Sequence, residues 1–381
     1  MKSSYWIVLV VLAVVLAGCT LPGAGTQAGT GPRDGATAPQ ESIKIGSLQP
    51  MTGEAASWGQ NGVAGARMAV EEINAAGGVL GRRLELVAED DKCSSEGVTA
   101  ITKLINVDQV DAIIGPDCSA SGAAALPVAQ KAGVPVVIIS ASNPTLTRLG
   151  DYIFRIYPSS AVEGATGAEF TVNKLGKRKA AVIFVEDVWS KGVKDAFIAR
   201  FKELGGQIAY EDSVTPEARD LKTQLTKAKN SGADVLYSPL RPAGGVALFQ
   251  QAQEIGLGMP IVGGDFYDSE EVVKHPASEG VYYTVPHVTT PDAFAAKVKA
   301  MPGNENLAVF LTAPIGYDAV KILVDAMHRA GSTDKLAVMQ ALKLTKYSGV
   351  SNPDIDFDEA GDLKNALMDV KVVRGGKGVL P

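Results

Sequence analysis

The sequence has little of what a metalloenzyme or a nucleic-acid-binding protein needs. Its 381 residues include only three histidines, with neither a His-Glu-x-x-His motif nor a Cys-x-x-Cys pair, so no zinc site is expected. Acidic residues outnumber basic ones by 42 to 36. The formal charge of -6 argues against nucleic acid as a partner, because such proteins normally present a basic face. A hydrophobic share of 46% excludes a wholly disordered chain.

Long hydrophobic runs are also missing, except at the N-terminus. Lys2 precedes an apolar run over residues 5–17, which is shorter than the roughly 20 residues that a membrane-spanning helix needs. A charged start followed by a short apolar stretch and small residues is typical of a secretory signal peptide. The run ends in Leu-Ala-Gly-Cys at residues 16–19, which resembles the bacterial lipoprotein processing box. We expect removal of residues 1–18 and lipidation of Cys19; the alternative is an ordinary signal peptide with a chance cysteine.

The segment after the processing box lacks the side chains from which a core is built. Residues 20–42 are rich in Gly, Ala, Thr and Pro and contain almost no large apolar residue. Such a segment cannot bury enough surface to offset the entropy lost on ordering. Residues 19–42 are therefore predicted to be a lipidated, flexible tether, and the folded body is predicted to start at Ile43.

From Ile43 onward the hydrophobic pattern alternates between strands and helices. Short, almost continuously apolar strands such as residues 112–114 alternate with helices such as residues 62–76. Strands of this kind suit a parallel sheet buried on both faces and connected by helical crossovers. A second series begins after residues 152–155, and a mostly helical stretch covers residues 293–343. The predicted fold class is α/β, with two Rossmann-like lobes built on parallel central sheets.

Five residues in or near strand-to-helix loops are candidates for binding, since ligands in such sheets lie beyond the carboxyl ends of the strands. Ser119 starts a helix and suits a carboxylate, although serine is also an ordinary helix cap. Asp265 follows a buried strand, so its carboxylate is expected to face a cation, a hydrogen-bond donor or water; the alternatives are a structural salt bridge or a helix cap. Trp58 and Trp189, one from each series, favour pocket walls. Arg241 either binds an anion or pairs with a surface acid.

Short motifs throughout the body of the chain carry a family resemblance. They lie at residues 49–53 (Gln-Pro-Met-Thr-Gly), 62–66, 73–78, 89–91 (Glu-Asp-Asp), 114–116 (Ile-Gly-Pro), 141–147 and 357–362. Together they resemble the type I periplasmic binding proteins, most closely the leucine/isoleucine/valine-binding receptors of ABC importers. The resemblance extends over roughly residues 43–375.

This resemblance implies a fold of two lobes joined by a three-strand hinge, with the ligand in the cleft between them. Closure of the lobes around the ligand is the expected motion. The implied crossings are residues 154–157, 283–286 and 345–349. The implied lobes are residues 43–155 plus 286–345 for lobe 1, and 156–285 plus 346–381 for lobe 2.

The resemblance also implies roles for individual residues. The ammonium of a bound amino acid would be held by Asp265, with Trp58 and Trp189 beside the ligand. Its carboxylate would be held by Ser119, Ser140, Ser142 and the backbone of Ala141. Cys93 and Cys118 fall where family members often have a disulfide, which an exported protein permits. Arg241 replaces an aromatic residue common in the family, and Asp265 is shorter than the usual glutamate. Specificity for leucine, isoleucine or valine is therefore not implied.

The predicted function is that of an exported, lipid-anchored and monomeric receptor that delivers an amino acid, branched-chain or related, to an ABC permease without a cofactor or metal. One alternative is a ligand-sensing receptor of the same fold for another small carboxylate, amide or aromatic acid. Another is an enzyme, but no Gly-x-Gly-x-x-Gly follows the first strand and no nucleophile elbow surrounds Ser119. His275, His287 and His328 lack a motif partner, so catalysis is not expected.

Overall fold

In the computed structural model, which describes residues 41–381, the alternating strands and helices form two sheets that are flanked by helices. The predicted signal peptide, Cys19 and nearly all of the tether lie outside the described residues. The strands are β1 Ile43–Gln49, β2 Leu84–Asp90, β3 Ala112–Ile114, β4 Val136–Ile138, β5 Ile153–Arg155, β6 Lys179–Val185, β7 Gln207–Val214, β8 Val235–Ser238, β9 Ile261–Gly263, β10 Tyr282–Pro286, β11 Lys346–Tyr347, β12 Ile355–Asp356, β13 Met368–Arg374 and β14 Lys377–Val379.

The helices follow the strands in the order that βαβ crossovers require. They are α1 Ala56–Ala75, α2 Gly97–Asn106, α3 Ser119–Ala132, α4 Ser160–Asn173, α5 Val188–Glu203, α6 Lys222–Asn230, α7 Pro242–Glu254, α8 Glu270–Val273, α9 Asp292–Ala300, α10 Thr312–Ala330 and α11 Lys335–Leu342. Among these helices, none is long and apolar enough to cross a membrane.

Each sheet is the centre of one lobe. The first has the order β2-β1-β3-β4-β5, and all its strands are parallel. The second has the order β14-β13-β10-β9-β8-β6-β7, in which β6 to β10 are parallel and β13 and β14 add an antiparallel edge. The prediction of an α/β fold with two lobes on parallel central sheets is thereby confirmed, with the antiparallel edge as an addition.

Buried strands form both cores because nearly every residue in them is apolar. The strands β3, β4 and β8 are buried along their whole length. Sheet strands covered on both faces by helices have no solvent side, which explains why their sequences do not alternate between apolar and polar residues. Their carboxyl ends point towards the gap between the lobes and carry the loops that form the candidate site.

The C-terminal part of the chain is divided between the lobes. The implied lobe 2 includes residues 346–381, of which β13 and β14 join the second sheet. Residues 346–363 instead contact lobe 1: the Phe357 ring lies 5.1 Å from that of Phe154, and the Gly361 carbonyl accepts from the Arg155 N–H at 2.8 Å. Hydrogen bonds to strand β5 hold this segment, so the chain crosses to lobe 2 just before β13.

Candidate functional site

A narrow cavity with an open volume of about 10 Å³ lies between the lobes, where loops from the ends of both sheets meet. This volume holds at most about one water molecule, so a ligand can enter only when the lobes move apart. Six of the predicted site residues line it: Trp58, Ser119, Ser140, Trp189, Arg241 and Asp265. The remaining lining residues are Cys93, Asp117, Cys118, Ala120, Asp187 and Phe266. The cavity therefore brings together side chains from distant parts of the sequence.

The lobe 1 wall of the cavity offers hydroxyl donors. The Ser119 hydroxyl oxygen accepts a hydrogen bond from the backbone N–H of Asn143 at 3.1 Å, which leaves its own proton free to donate. Ser140 is different, because its hydroxyl donates to Asp117 Oδ1 at 2.7 Å. Ser119 is thus the serine of this wall that is ready to donate to a ligand, and Ser140 instead orients a neighbouring acid.

Two of the predicted carboxylate-binding residues lie outside the cavity lining. The backbone N–H of Ala141 already donates to the Pro116 carbonyl at 3.2 Å. Ser142 is buried, and its carbonyl accepts from the Ser160 N–H at 2.7 Å across the cleft. Their roles in ligand binding remain predictions. A ligand carboxylate would have to displace the Pro116 carbonyl to bind the Ala141 N–H.

Asp265 supplies a buried acid from lobe 2. It follows β9, is 3% exposed, and its Oδ2 accepts a hydrogen bond from the Tyr157 hydroxyl at 2.7 Å. Its other oxygen, Oδ1, is buried with no hydrogen-bond partner in residues 41–381. Burial raises the pKa of Asp265 to about 6, with the Tyr157 hydrogen bond opposing the shift. At neutral pH the carboxyl is therefore mainly ionised and has a free acceptor oxygen.

The neighbourhood of Asp265 contains a second acid that is not in the cavity. Glu163 is fully buried and its Oε1 accepts from the Asp265 N–H at 2.9 Å and from the Thr284 hydroxyl at 3.1 Å. Burial, followed by the charge of Asp265, raises the pKa of Glu163 well above its usual value. Glu163 therefore holds the Asp265 backbone in place while tending to stay neutral.

Three aromatic side chains form the apolar wall. Phe266 lies between the two predicted tryptophans, with ring centroids 5.2 Å from Trp58 and 4.7 Å from Trp189. Edge-on and tilted contacts of this kind are favourable for aromatic pairs. Phe266 was not predicted to be a site residue, although it directly follows Asp265 in the chain.

Arg241 pairs with an acid, which is one of the two predicted possibilities, but the pair lies in the cavity wall. Its Nε and Nη2 donate to Asp187 Oδ2 at 3.1 and 3.0 Å. Asp187 also caps α5, because its Oδ1 accepts from the Ser190 N–H at 2.8 Å. With its charge balanced by Asp187, Arg241 is not a free anion-binding group.

A disulfide between Cys93 and Cys118 is present in the wall of lobe 1. Arg241 Nη1 lies 3.3 Å from the Cys93 sulfur, so a lobe 2 side chain contacts the disulfide of lobe 1. The Asn143 amide also donates to the Val188 carbonyl at 2.9 Å between the lobes. With the Trp58–Phe266 contact, these interactions close the cleft over the cavity.

The profile of the family described as periplasmic binding protein matches residues 42–377. The chain belongs to this family. Members are substrate-binding transport proteins that act outside the cytoplasm, and this binding protein has the matching fold. A relative from Pseudomonas aeruginosa, the leucine-, isoleucine-, valine-, threonine- and alanine-binding protein, is 28% identical over 337 residues, which cover 85% of this chain and 88% of the relative.

Solved structures give the same family assignment. The leucine binding protein LivK of Thermotoga maritima is 29% identical with a TM-score of 0.81, covering 89% of this chain and 97% of the other. The branched-chain amino acid binding protein LivJ of Streptococcus pneumoniae, in complex with isoleucine, is 28% identical with a TM-score of 0.77, covering 89% and 98%. Both similarities span both lobes and the cleft between them.

Metal ligands are not grouped in this binding protein. Within residues 41–381, no cluster of three or more His, Cys, Asp or Glu side chains could hold a metal ion. What the cavity offers is one unpaired ionised acid, the Ser119 hydroxyl as a donor, an aromatic wall and an arginine neutralised by Asp187. These groups can bind a small polar molecule by complementary hydrogen bonds and charge.

Proposed function

We propose that this binding protein is the substrate-binding component of an ABC importer and that it holds an amino acid in the cavity between its lobes. The names of its relatives and the isoleucine in one structural neighbour support this class of ligand. The observation that carries the proposal is the unpartnered, buried Oδ1 of Asp265 in the cavity wall.

The two sides of the cavity complement the two charged groups of an amino acid. A buried carboxylate oxygen without a partner is unfavourable, and a ligand ammonium would both neutralise it and donate to it. The Ser119 hydroxyl on the opposite wall has a free proton for the ligand carboxylate. The aromatic wall of Trp58, Phe266 and Trp189 would contact the apolar side chain. A small aromatic acid has no ammonium and would leave Asp265 unpartnered, so it fits this cavity less well.

A screen of the purified protein tests this proposal. We expect at least one of the twenty proteinogenic L-amino acids to raise the melting temperature at neutral pH. A ligand at about 100 times its dissociation constant stabilises the folded state by roughly 2.7 kcal/mol. Differential scanning fluorimetry measures the shift, with the corresponding D-amino acids as the control for nonspecific effects. If none of the twenty produced a shift, the amino-acid proposal would be wrong.

We also propose that Cys19 becomes the lipidated N-terminal residue, which would keep the receptor at the membrane surface beside its permease. Several acyl chains on one residue anchor a protein durably, because each buried methylene contributes about 0.8 kcal/mol. The Gly-, Ala-, Thr- and Pro-rich composition of residues 20–42 supports this arrangement, since the tether it predicts would let the lobes reach the permease.

Mass spectrometry of the protein from a bacterial host is expected to show an N-terminal peptide that starts at Cys19 and carries acyl chains. The variant C19A should lack the lipid, because alanine has no thiol for the thioether. The neighbouring variant T20A, with its cysteine intact, serves as the control and should be lipidated. A mature chain that begins at another residue, without lipid, would contradict lipidation at Cys19.

A further inference from the structure

A second buried acid lines the cavity and was not predicted from the sequence. Asp117 follows β3, directly before the disulfide residue Cys118, and is 6% exposed. Its Oδ1 accepts the hydrogen bond from the Ser140 hydroxyl. Its Oδ2 is buried and has no hydrogen-bond partner among the residues that the structure describes. One oxygen of the Asp117 carboxyl is therefore held in place, and the other is unused.

The groups around Asp117 do not compensate a negative charge there. Asp91, after β2, is a second acid close enough to disfavour ionisation of Asp117. In the described part of the chain, no lysine or arginine forms a salt bridge with Asp117, and Arg241 is already paired with Asp187. The Tyr157 hydroxyl, which faces the same region, donates to Asp265 instead. An ionised Asp117 would be a buried carboxylate with a single hydroxyl donor.

The two aspartates of the cavity consequently differ in protonation. Burial raises the pKa of Asp117 to about 8, whereas that of Asp265 is raised to about 6. Between these values Asp117 is mainly neutral and Asp265 mainly ionised. Pairs of acids whose environments separate their pKa values in this way commonly have different chemical roles.

We propose that Asp117 is a specificity-determining residue that donates a hydrogen bond from its neutral carboxyl group to the carboxylate of the bound amino acid. This inference rests on the proposed function and deepens it. Ser119 lies two residues further along, and both residues line the cavity from lobe 1. A neutral acid has an O–H donor for a ligand carboxylate, whereas an ionised one would repel it. The two charged groups of the ligand would then be recognised by two aspartates in opposite protonation states.

This role makes ligand affinity depend on pH in a defined direction. The complex needs the proton on Asp117, so affinity falls as pH rises through the pKa of the free protein. At about pH 9, one unit above that pKa, roughly one molecule in eleven still holds the proton. The expected loss of affinity between about pH 6.5 and about pH 9 is therefore about tenfold.

Isothermal titration of the twenty proteinogenic L-amino acids at about pH 6.5 and about pH 9 tests the role of Asp117. For every amino acid that binds, wild type should lose about tenfold more affinity than D117N over this range. The asparagine amide donates at both pH values, so D117N reports any change that comes from the ligand ammonium, from Asp265 or from Glu163. The control D111N changes an acid of lobe 1 outside the cavity and should keep the wild-type ratio.

The outcomes separate this inference from the proposed function. Equal pH dependence in wild type and D117N, or an affinity that rises with pH, would overturn the donor role of Asp117 while leaving amino-acid binding intact. Absence of binding at both pH values would overturn the proposed function itself. Circular dichroism and melting curves of D117N show whether the variant is folded, and D117E provides a second titrating variant if it is not. D117E should retain a pH-dependent loss of affinity.

Discussion

The variant D265N is expected to bind amino acids about 100-fold more weakly than wild type. Removing one partner of a buried, hydrogen-bonded charge pair typically costs 2–5 kcal/mol, and about 2.7 kcal/mol corresponds to a factor of about 100. Asp265 has a free buried oxygen in the cavity wall, and no other mainly ionised acid there is left unpaired, since Asp187 is neutralised by Arg241. Isothermal titration at neutral pH measures the loss.

The same substitution is expected to leave the fold intact or to stabilise it. An acid whose pKa is raised on folding binds more protons in the folded state, so its contribution to stability falls as pH rises through about 4–6. At pH 7 the ionised Asp265 therefore destabilises the unliganded protein, and a neutral amide removes that penalty. The Tyr157 hydroxyl can still donate to the amide oxygen. Loss of affinity with an unchanged or higher melting temperature would distinguish a binding role from misfolding.

D268N provides the matched control for this experiment. Asp268 lies three residues further along but outside the cavity lining, where it accepts from the Tyr283 hydroxyl at 2.7 Å and from Lys371. Its loss should leave amino-acid affinity within about twofold, since its carboxylate does not line the cavity and is already paired with Lys371. Equal affinities of wild type and D265N would remove Asp265 from the ligand site.

The variant R155A is expected to lower the free energy of unfolding by about 3–5 kcal/mol, the usual cost of breaking a buried ion pair. Arg155 is fully buried at the end of β5 and forms a salt bridge with Asp362. Its Nη1 also donates to the carbonyls of Ala141 and Asn143 at 3.2 and 2.8 Å. The substitution would leave these carbonyls and Asp362 without their donor and would open a cavity between β5 and the segment before β13.

Urea denaturation at neutral pH, followed by far-UV circular dichroism, measures this effect. K364A is the control, because Lys364 forms a salt bridge with Asp356 at 3.0 Å in the same segment, but its side chain is 47% exposed. Exposed pairs contribute at most about 1 kcal/mol. If the two variants had similar stabilities, the buried pair of Arg155 would not be what holds residues 346–363 against lobe 1.

The positions of the site loops could be predicted from the sequence because strand ends are visible in it. Apolar runs predicted where β3 and β9 end, and ligands of such sheets lie just beyond those ends. Asp117 occupies the same kind of position as Asp265, so the reasoning that selected Asp265 could also have found Asp117. The serines that follow Asp117 are themselves candidates for helix capping and carboxylate binding, so they were selected instead of Asp117.

Helix boundaries that depend on a packing partner could not be predicted. Helix α1 starts at Ala56, six residues before the predicted start, although Gly59 and Gly62 weaken helix formation there. The helix needs such residues for contact: a Cβ at Gly65 would lie 1.8 Å from the Ala313 carbonyl oxygen in α10. The predicted helical stretch 293–343 is interrupted between α9 and α10, and its Pro302-Gly303 pair was a signal for this break.

Backbone hydrogen bonds formed by loops could not be predicted from the sequence either. The resemblance implied that the Ala141 N–H binds the ligand, whereas in the structure it donates to Pro116, a residue 25 positions earlier. Nothing in the local sequence distinguishes a free N–H from one that pairs with a distant carbonyl. The proposed Asp117 donor could satisfy the ligand carboxylate without that N–H.

The closed cleft has a consequence for the timing of transport. Contacts between the lobes, such as Trp58 with Phe266 and Arg241 with Cys93, cover the cavity. An enclosed ligand cannot dissociate until the lobes separate, so its residence time is limited by the opening rate, and hinge motions of this size take microseconds to milliseconds. A permease that pulls the lobes apart would therefore accelerate ligand release directly, and could set the rate of uptake without competing for any ligand contact.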